Sequence, residues 1–390
     1  MLSSVAPDPP IDGCSVTVAE VIRALSQNHD VTLAFFGSRE PTLRSTYDRV
    51  VLTPRRRWLR FLPMYWPQFV WGVPFSIFPF TGRAARRQVR RLIGSGRFDA
   101  VVCHMVHTAA LLPRGCVLPT CMIIQDVVHH AIRGTRDYQT SMLRRAYNYA
   151  HVKQLLRYEK QQYPRFGCRT VVSTAEQHRA SALNVGDVSV VPNGVDVDEF
   201  APETPIAQRS DIVYLGNMGA SRNEDAAWVS VTQVLPLVRR SLPDAKLYVV
   251  GARPSERLRE VALTTDGIVV TGEVDSVKPF LDSARAFLVP QGVGTGIKTS
   301  ILQALAMEAP VLASAPAVEG FDGSPGVHYL ICSSPDEFAT ETIRLMTDDE
   351  LASRLGANGR KLVTEQYSWD NYARRLEELL LGCVANQRSL

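Results

Sequence analysis

The stretch Pro290-Gln-Gly-Val-Gly-Thr-Gly-Ile-Lys-Thr-Ser300 holds the residues best suited to chemistry. Gly292, Gly294 and Gly296 carry no Cβ and let the backbone approach a ligand closely. Lys298 follows them, and the spacing of Ile301-Leu-Gln-Ala-Leu-Ala-Met307 predicts a helix that starts beside it. A helix start points unpaired N–H groups and a positive dipole end at the loop before it. With Lys298 this makes an anion site suited to a phosphate or diphosphate. The same pattern also fits a plain strand–turn–helix connection with an incidental lysine. Arg253, just past the apolar run 247–250, and Arg222 are further cations near predicted strand ends, and a surface position suits either equally well.

These groups need a scaffold. Apolar runs at 212–215, 246–250, 268–271 and 286–289 alternate with helical stretches at 225–241, 255–263 and 277–283. Such alternation predicts parallel strands covered by helices. The earlier part reads the same way, with strands over 3–6, 31–36, 99–103, 120–124, 170–173 and 187–191. Helical stretches cover 16–27 and 142–162, and residues 336–381 read as helical. Residues 192–210 contain three prolines, Asn193-Gly194 and little periodicity, which predicts a linker. At 390 residues the chain is too long for one ordinary core and suits two domains. Their expected bounds are 1–191 and 211–368, with a last helix over 369–390.

The net charge of +4 hides an asymmetry, for residues 1–195 carry +13 and the remainder −9. The basic half could attract a phosphate-bearing acceptor or an anionic membrane surface, or could be an ordinary solvated face. Residues 55–80 are basic and aromatic, but their prolines interrupt any clean amphipathic helix. They suit either contact with a membrane or lipid-linked acceptor, or an ordinary wall of the first domain. No run of about 18 apolar residues exists, so no transmembrane helix is expected. The N-terminus lacks a basic region followed by an apolar core. Seven scattered cysteines without a Cys-x-x-Cys pair argue against a disulfide framework or a zinc site. A cytoplasmic protein with reduced thiols, peripheral to the membrane at most, is the expectation. No nucleic-acid partner, metal or resident cofactor is expected, and the oligomeric state stays open.

Four segments precede the glycine loop in a fixed order. They are Val190-Val-Pro-Asn-Gly-Val-Asp-Val-Asp-Glu-Phe200, Ile212-Val-Tyr-Leu-Gly-Asn-Met218, Leu247-Tyr-Val-Val-Gly251 and Gly267-Ile-Val-Val-Thr-Gly272. In this order and spacing the chain resembles the family 4 glycosyltransferases, most specifically over residues 190–320. Gly216-Asn-Met with Asn223 resembles the branch that carries "GNM…N" where other members have Gly-Arg…Lys. The resemblance implies a GT-B fold, two doubly wound Rossmann-like domains facing a central cleft, with the last helix returning to the first domain. It implies a retaining transfer of a sugar from a nucleotide-diphosphate donor to an acceptor, small or lipid-linked, with a hydroxyl or thiol nucleophile.

The resemblance also assigns residues. Lys298, Arg253 and His104 are the catalytic candidates, His104 matching a histidine that relatives place near the donor sugar. A purely structural histidine fits that position too. Donor binding falls to Gly13, Gly216, Asn217, Arg222, Asn223, Val274, Gly294, Thr295, Gly296, Ile297, Thr299 and Gln303. By its place after the predicted strand 120–124, Asp126 could face the acceptor, and His129 is a less well placed candidate on that side. The family motif Glu-x7-Glu falls on Thr295 and Gln303, so both acids are missing. That departure keeps a second reading open, a weakly active or inactive homologue that acts as a binding partner. A third, a sugar-nucleotide epimerase, is weakened because it needs added acid/base carboxylates and none is well placed.

Overall fold

The computed structural model describes residues 1–7, 13–37, 47–52, 73–74, 76–130, 142–292 and 298–388. Gly294, Thr295, Gly296, Ile297 and residues 53–72 and 75 of the basic aromatic segment lie outside the described residues. The chain divides into two compact units, Met1–Pro192 with Tyr372–Leu390, and Asn193–Asn371.

The first unit is built on a seven-stranded sheet, all parallel, in the order β3-β2-β1-β4-β5-β6-β7. Its strands are β1 (Leu2–Ser3), β2 (Thr32–Phe35), β3 (Asp48–Val51), β4 (Val101–His104), β5 (Thr120–Ile124), β6 (Cys168–Val171) and β7 (Ser189–Val190). Every residue of β4, β5 and β6 is buried, as expected of parallel strands covered on both faces. The helix Gly13–Leu25 starts three residues before the predicted 16–27 and packs Val18 and Ile22 against Leu33 and Phe35. Several short elements escaped prediction, among them a strand and a helix. The strand β3, Asp-Arg-Val-Val, is short and half polar, and the helix Arg83–Ile93 buries little beyond Ala85 and Val89.

The second unit repeats the plan with six parallel strands in the order β10-β9-β8-β11-β12-β13. They are β8 (Asp211–Leu215), β9 (Lys246–Val250), β10 (Ile268–Gly272), β11 (Ala284–Val289), β12 (Val311–Ala313) and β13 (Leu330–Ile331). The predicted helix over 225–241 begins earlier, at Ser221, and changes pitch on the way. A π turn, Ser230–Val234, separates Ser221–Val229 from Leu235–Ser241. Pro236 has no N–H to continue the regular ladder, and the Leu235 N–H closes on the Ser230 carbonyl instead. The block 336–381 resolves into three helices, Pro335–Thr347, Asp349–Gln366 and Trp369–Arg388. Asp348 makes one break by accepting from the Leu351 N–H at 2.9 Å. No described helix is long and apolar enough to cross a membrane.

Residues 193–210, read from sequence as a linker, are fastened to the second unit. Arg360 donates to the carbonyls of Phe200 (2.9 Å) and Val197 (3.2 Å), and Thr204 Oγ1 donates to Asp282 (2.6 Å). Arg209 donates to the Met307 carbonyl at 2.7 Å. Arg285, buried at the start of β11, reaches the carbonyls of Leu345 and Ile206, each at 2.7 Å, and the Asp349 carboxylate. Buried carbonyls without donors are costly, so these arginines join helix ends to the sheet. Arg285→Met is expected to lower the unfolding free energy by about 2–5 kcal/mol. The urea midpoint should fall with the slope unchanged. A midpoint equal to that of the unaltered protein would mean that the carbonyls find other partners.

Candidate functional site

Strand order reverses between β8 and β11 in the second unit, and ligands in open parallel sheets bind beyond the carboxyl ends of strands at such a point. Gly216 and Asn217 follow β8 there, and Gln291 follows β11. Gly251, at the end of β9, has φ +130°, and a Cβ on it would lie 2.1 Å from the Gly216 carbonyl oxygen. Only glycine permits this crossing. The adjacent Arg253 also has a positive φ, 58°, and its side chain lies against Gly219.

A chain of amides joins the strand ends. Asn223 Nδ2 donates to the Asn217 carbonyl (2.9 Å), and Asn217 Oδ1 accepts from the Gly219 N–H (2.9 Å). Gln291 Nε2 donates to Asn223 Oδ1 at 2.8 Å, and Tyr214 OH donates to the Asn223 carbonyl at 2.9 Å. The expected phosphate ligands Asn217 and Asn223 thus already make hydrogen bonds within the protein. Gln291 is 4% exposed, and its Oε1 has no hydrogen-bond partner. The sequence reading missed Gln291 and Tyr214. The available signal for Gln291 was its place two residues beyond the strand, where the glycine loop opens.

Lys298 stands immediately before the helix Thr299–Ala306 in extended geometry (φ −87°, ψ 122°). Its carbonyl accepts from the Ile301 N–H at 3.0 Å, which closes the first turn behind it. Burial, and secondarily the charge of Arg222, lower its pKa to about 8. The structure therefore brings Lys298, Arg222, Asn223, Asn217, Gly216 and Arg253 to the ends of β8, β9 and β11. Thr299 is in the first turn of the helix, and Gln303 is one turn further, half-buried. Val274, after β10, packs against the apolar core of the unit.

In the first unit the order reverses between β1 and β4. His104 ends β4 fully buried, and neither ring nitrogen has a hydrogen-bond partner. Burial, then the neighbouring His107, lowers its pKa to about 4, so the ring is neutral at neutral pH. Met105 follows with φ 64° and its sulfur lies 3.9 Å from Cys14 Sγ, next to Gly13 at the helix start. Asp126 follows β5 in a bend and His129 in the helical turn 128–130, and two buried carboxylates hold this segment. Glu176 accepts from the Val127 N–H (2.8 Å), and Glu159 accepts from the Val128 N–H (2.7 Å). His129 Nδ1 lies 2.6 Å from Glu159 Oε2. Glu159 was not singled out from sequence, although it is the one acid in the helix Met142–Gln162.

A family model described as Glycosyltransferase Family 4 matches residues 11–199, and one described as Glycosyl transferases group 1 matches residues 209–348. The chain belongs to the family 4 glycosyltransferases. It is 29% identical to a GDP-mannose-dependent alpha-(1-6)-phosphatidylinositol monomannoside mannosyltransferase of Mycobacterium tuberculosis over 239 residues, 55% of this chain. The match spans 61% of that relative's length. A phosphatidyl-myo-inositol mannosyltransferase of the same organism is 24% identical over 311 residues, 76% of each chain. Among solved structures, a sucrose-phosphate synthase from Thermosynechococcus elongatus superposes with TM-score 0.74 at 17% identity, covering 99% of this chain and 98% of that one. HepE of Anabaena, in complex with UDP, superposes with TM-score 0.68 at 11% identity, covering 98% of each chain. The fold is GT-B.

In this family 4 chain, the lowered pKa of Lys298 gives a signed pH dependence. The ammonium is present below about 8 and is lost above it. Affinity for a nucleoside diphosphate is expected to fall as pH rises from about 7 to about 9. Lys298→Arg, charged throughout that range, should abolish the dependence. Isothermal titration at several pH values measures it, and an identical pH profile in the two proteins would remove Lys298 from the anion site.

Proposed function

We propose that this protein transfers a sugar from a nucleotide-diphosphate donor to an acceptor nucleophile, with retention of anomeric configuration. The observation that carries the reading is Lys298 at the start of the helix Thr299–Ala306, at a strand-order reversal, paired with Arg222, whose charge acts on it. Such a pair, with the unpaired N–H groups of the first helical turn, suits the diphosphate that leaves as the sugar departs. Lys298 and one of Arg222 or Arg253 stabilise the developing charge, and Thr299 and the preceding loop residues Gly294 to Ile297 bind the phosphates. Gly216, Asn217, Asn223 and Val274 belong to the donor side, and Gln303 takes the nucleotide ribose. His104, neutral and with both ring nitrogens unpaired, is suited to a sugar hydroxyl, beside the helix start at Gly13. Asp126 and His129 belong to the acceptor side.

GDP-mannose, named for the mycobacterial relative, and UDP sugars, prompted by the UDP complex of HepE, are the first donors to test. A lipid-linked acceptor fits the basic first half and the phosphatidylinositol named for the relatives. A second reading, a weakly active homologue that mainly binds, is favoured by one observation: Thr295 and Gln303 stand where the family motif has two acids. Thermal shift with GDP-mannose, UDP-glucose and UDP-N-acetylglucosamine tests the first step. A donor at ~100 times its dissociation constant stabilises by roughly 2.7 kcal/mol. Donor-dependent release of free nucleoside diphosphate separates the transferase from the binder, and no shift with any donor would refute both.

Gln303→Leu is expected to cost roughly 1–3 kcal/mol in donor affinity, by leaving a ribose hydroxyl unpaired. Gln303→Glu should be tolerated, since a carboxylate makes stronger hydrogen bonds to hydroxyls. Calorimetric titration of the preferred nucleotide decides it, and equal affinity for the leucine variant and the unaltered protein would take Gln303 out of contact. The reading gives no part to a metal ion, because the cationic side chains serve the leaving group. EDTA is expected to leave diphosphate release unchanged, and a loss restored by Mg²⁺ or Mn²⁺ would overturn that.

A further inference from the structure

Glu159 is 0% exposed and lies near the end of the helix Met142–Gln162. Its Oε1 accepts from the Val128 N–H at 2.7 Å and from Tyr163 OH at 3.1 Å. Its Oε2 lies 2.6 Å from His129 Nδ1. Glu176 takes the preceding amide, Val127 N–H, at 2.8 Å and pairs with Arg179. Two buried carboxylates therefore hold consecutive amides at the start of the helical turn that follows β5. The Val127 and Val128 amides already pin the backbone, and the additional contact acts on the ring of His129.

A carboxylate only accepts hydrogen bonds. His129 Nδ1 must therefore carry a hydrogen, which leaves Nε2 of the neutral ring with its lone pair. The His129 side chain is 17% exposed, and no described residue makes a hydrogen bond to Nε2. A nucleophilic hydroxyl that donates its hydrogen to such a nitrogen keeps its own lone pairs free for the carbon it attacks. A ring protonated on Nε2 would do the opposite, donating to the hydroxyl oxygen and occupying one of those lone pairs.

We infer that His129 receives the acceptor hydroxyl through Nε2, and that Glu159 is the positioning residue that holds the ring in the required tautomer. The inference rests on the transferase reading above and deepens its acceptor side. Glu159→Gln keeps the size of the side chain and an oxygen for the Val128 N–H. It can turn an N–H toward His129 Nδ1, which drives the ring hydrogen to Nε2. Reversing a histidine tautomer through its carboxylate partner disables catalysis without disturbing geometry.

Two measurements test this. Imidazole 15N shifts of the histidine-labelled protein, with the His129 signal assigned by His129→Gln, report the tautomer without any ligand. The expected result is Nδ1–H in the unaltered protein and Nε2–H in Glu159→Gln. A ring protonated on Nε2, or on both nitrogens, in the unaltered protein at neutral pH overturns the inference. The second measurement uses water as the smallest acceptor, with GDP-mannose and UDP-glucose as donors. Glu159→Gln should lower the rate of nucleoside diphosphate release on the order of a hundredfold or more, the usual worth of a positioned proton acceptor, and leave donor affinity unchanged. His129→Gln keeps the two other hydrogen bonds of Glu159 and should show the same loss, with the double variant no worse than either. An unchanged rate, or additive losses, overturns the assignment. So does a fall in donor affinity that matches the fall in rate. If the unaltered protein binds neither donor, the transferase reading fails on its own, and the tautomer measurement still decides the Glu159–His129 pair.

Discussion

Gly251 holds φ at +130°, and its Cα passes so near the Gly216 carbonyl that a Cβ has no room. That approach locks the end of β9 against the end of β8. Much of the second unit's polar architecture follows from it. With the two backbones in contact, Asn217 turns back over Gly219, and the Asn223 side chain reaches the Asn217 carbonyl. Gln291, arriving from β11, then closes on Asn223 across the strand-order reversal. Three strand ends are thereby fixed in one hydrogen-bonded web. Lys298 enters at the start of the next helix, where burial lowers its pKa to about 8. A site that must recognise a charged group benefits from such fixed surroundings, because little reorganisation remains when the ligand arrives.

The buried and half-buried cations of this unit divide by chemistry. Arg209, Arg285 and Arg360 spend their planar forks on carbonyls at helix ends and on carboxylates, which suits a group that stays charged. Their work is structural, joining residues 193–210 and the later helices to the sheet. Lys298 differs. The two influences on it, burial and Arg222, both lower its pKa, and no carboxylate among the described residues offsets them. A partly desolvated ammonium beside a second cation is an arrangement that a bound anion relieves.

Some of this was legible in the sequence and some was not, for physical reasons. The strands β5, β9 and β11 announce themselves as short apolar runs bounded by Gly, Pro or polar residues, since both faces are covered. The helix after Lys298 is legible for the same reason, with Ile301, Leu302 and Leu305 on its buried side. The strand β3 is not, because Asp48 and Arg49 mask its period at the sheet edge. Glu159 and Gln291 are not legible either. Glu159 sits among Arg157, Tyr158 and Lys160, which reads as a solvated helix face, and its partners at 128 and 129 are about thirty residues away. Gln291 pairs with Asn223 across 68 residues. Local pattern carries strand and helix identity, whereas a buried polar group is defined by partners that only the fold brings near.

The departures from the family pattern at the site offset one another in sign. By the family resemblance, Asn217 and Asn223 stand where many members carry Arg and Lys, so two positive charges are replaced by amides. Thr295 and Gln303 stand where the motif has two acids, so two negative charges are replaced by uncharged groups. Measured against that pattern, the two pairs of replacements cancel in formal charge and leave hydrogen-bonding groups alone at the four positions. Losing only the cations would have left two carboxylates to repel a diphosphate, and losing only the acids would have left the cations without counter-charges. With both gone, Asn223 can bond directly to Asn217 and Gln291. The charge of Lys298 is then not offset by acids at positions 295 and 303. For a diphosphate at this site, Lys298, Arg222 and Arg253 are the cations that remain to meet it.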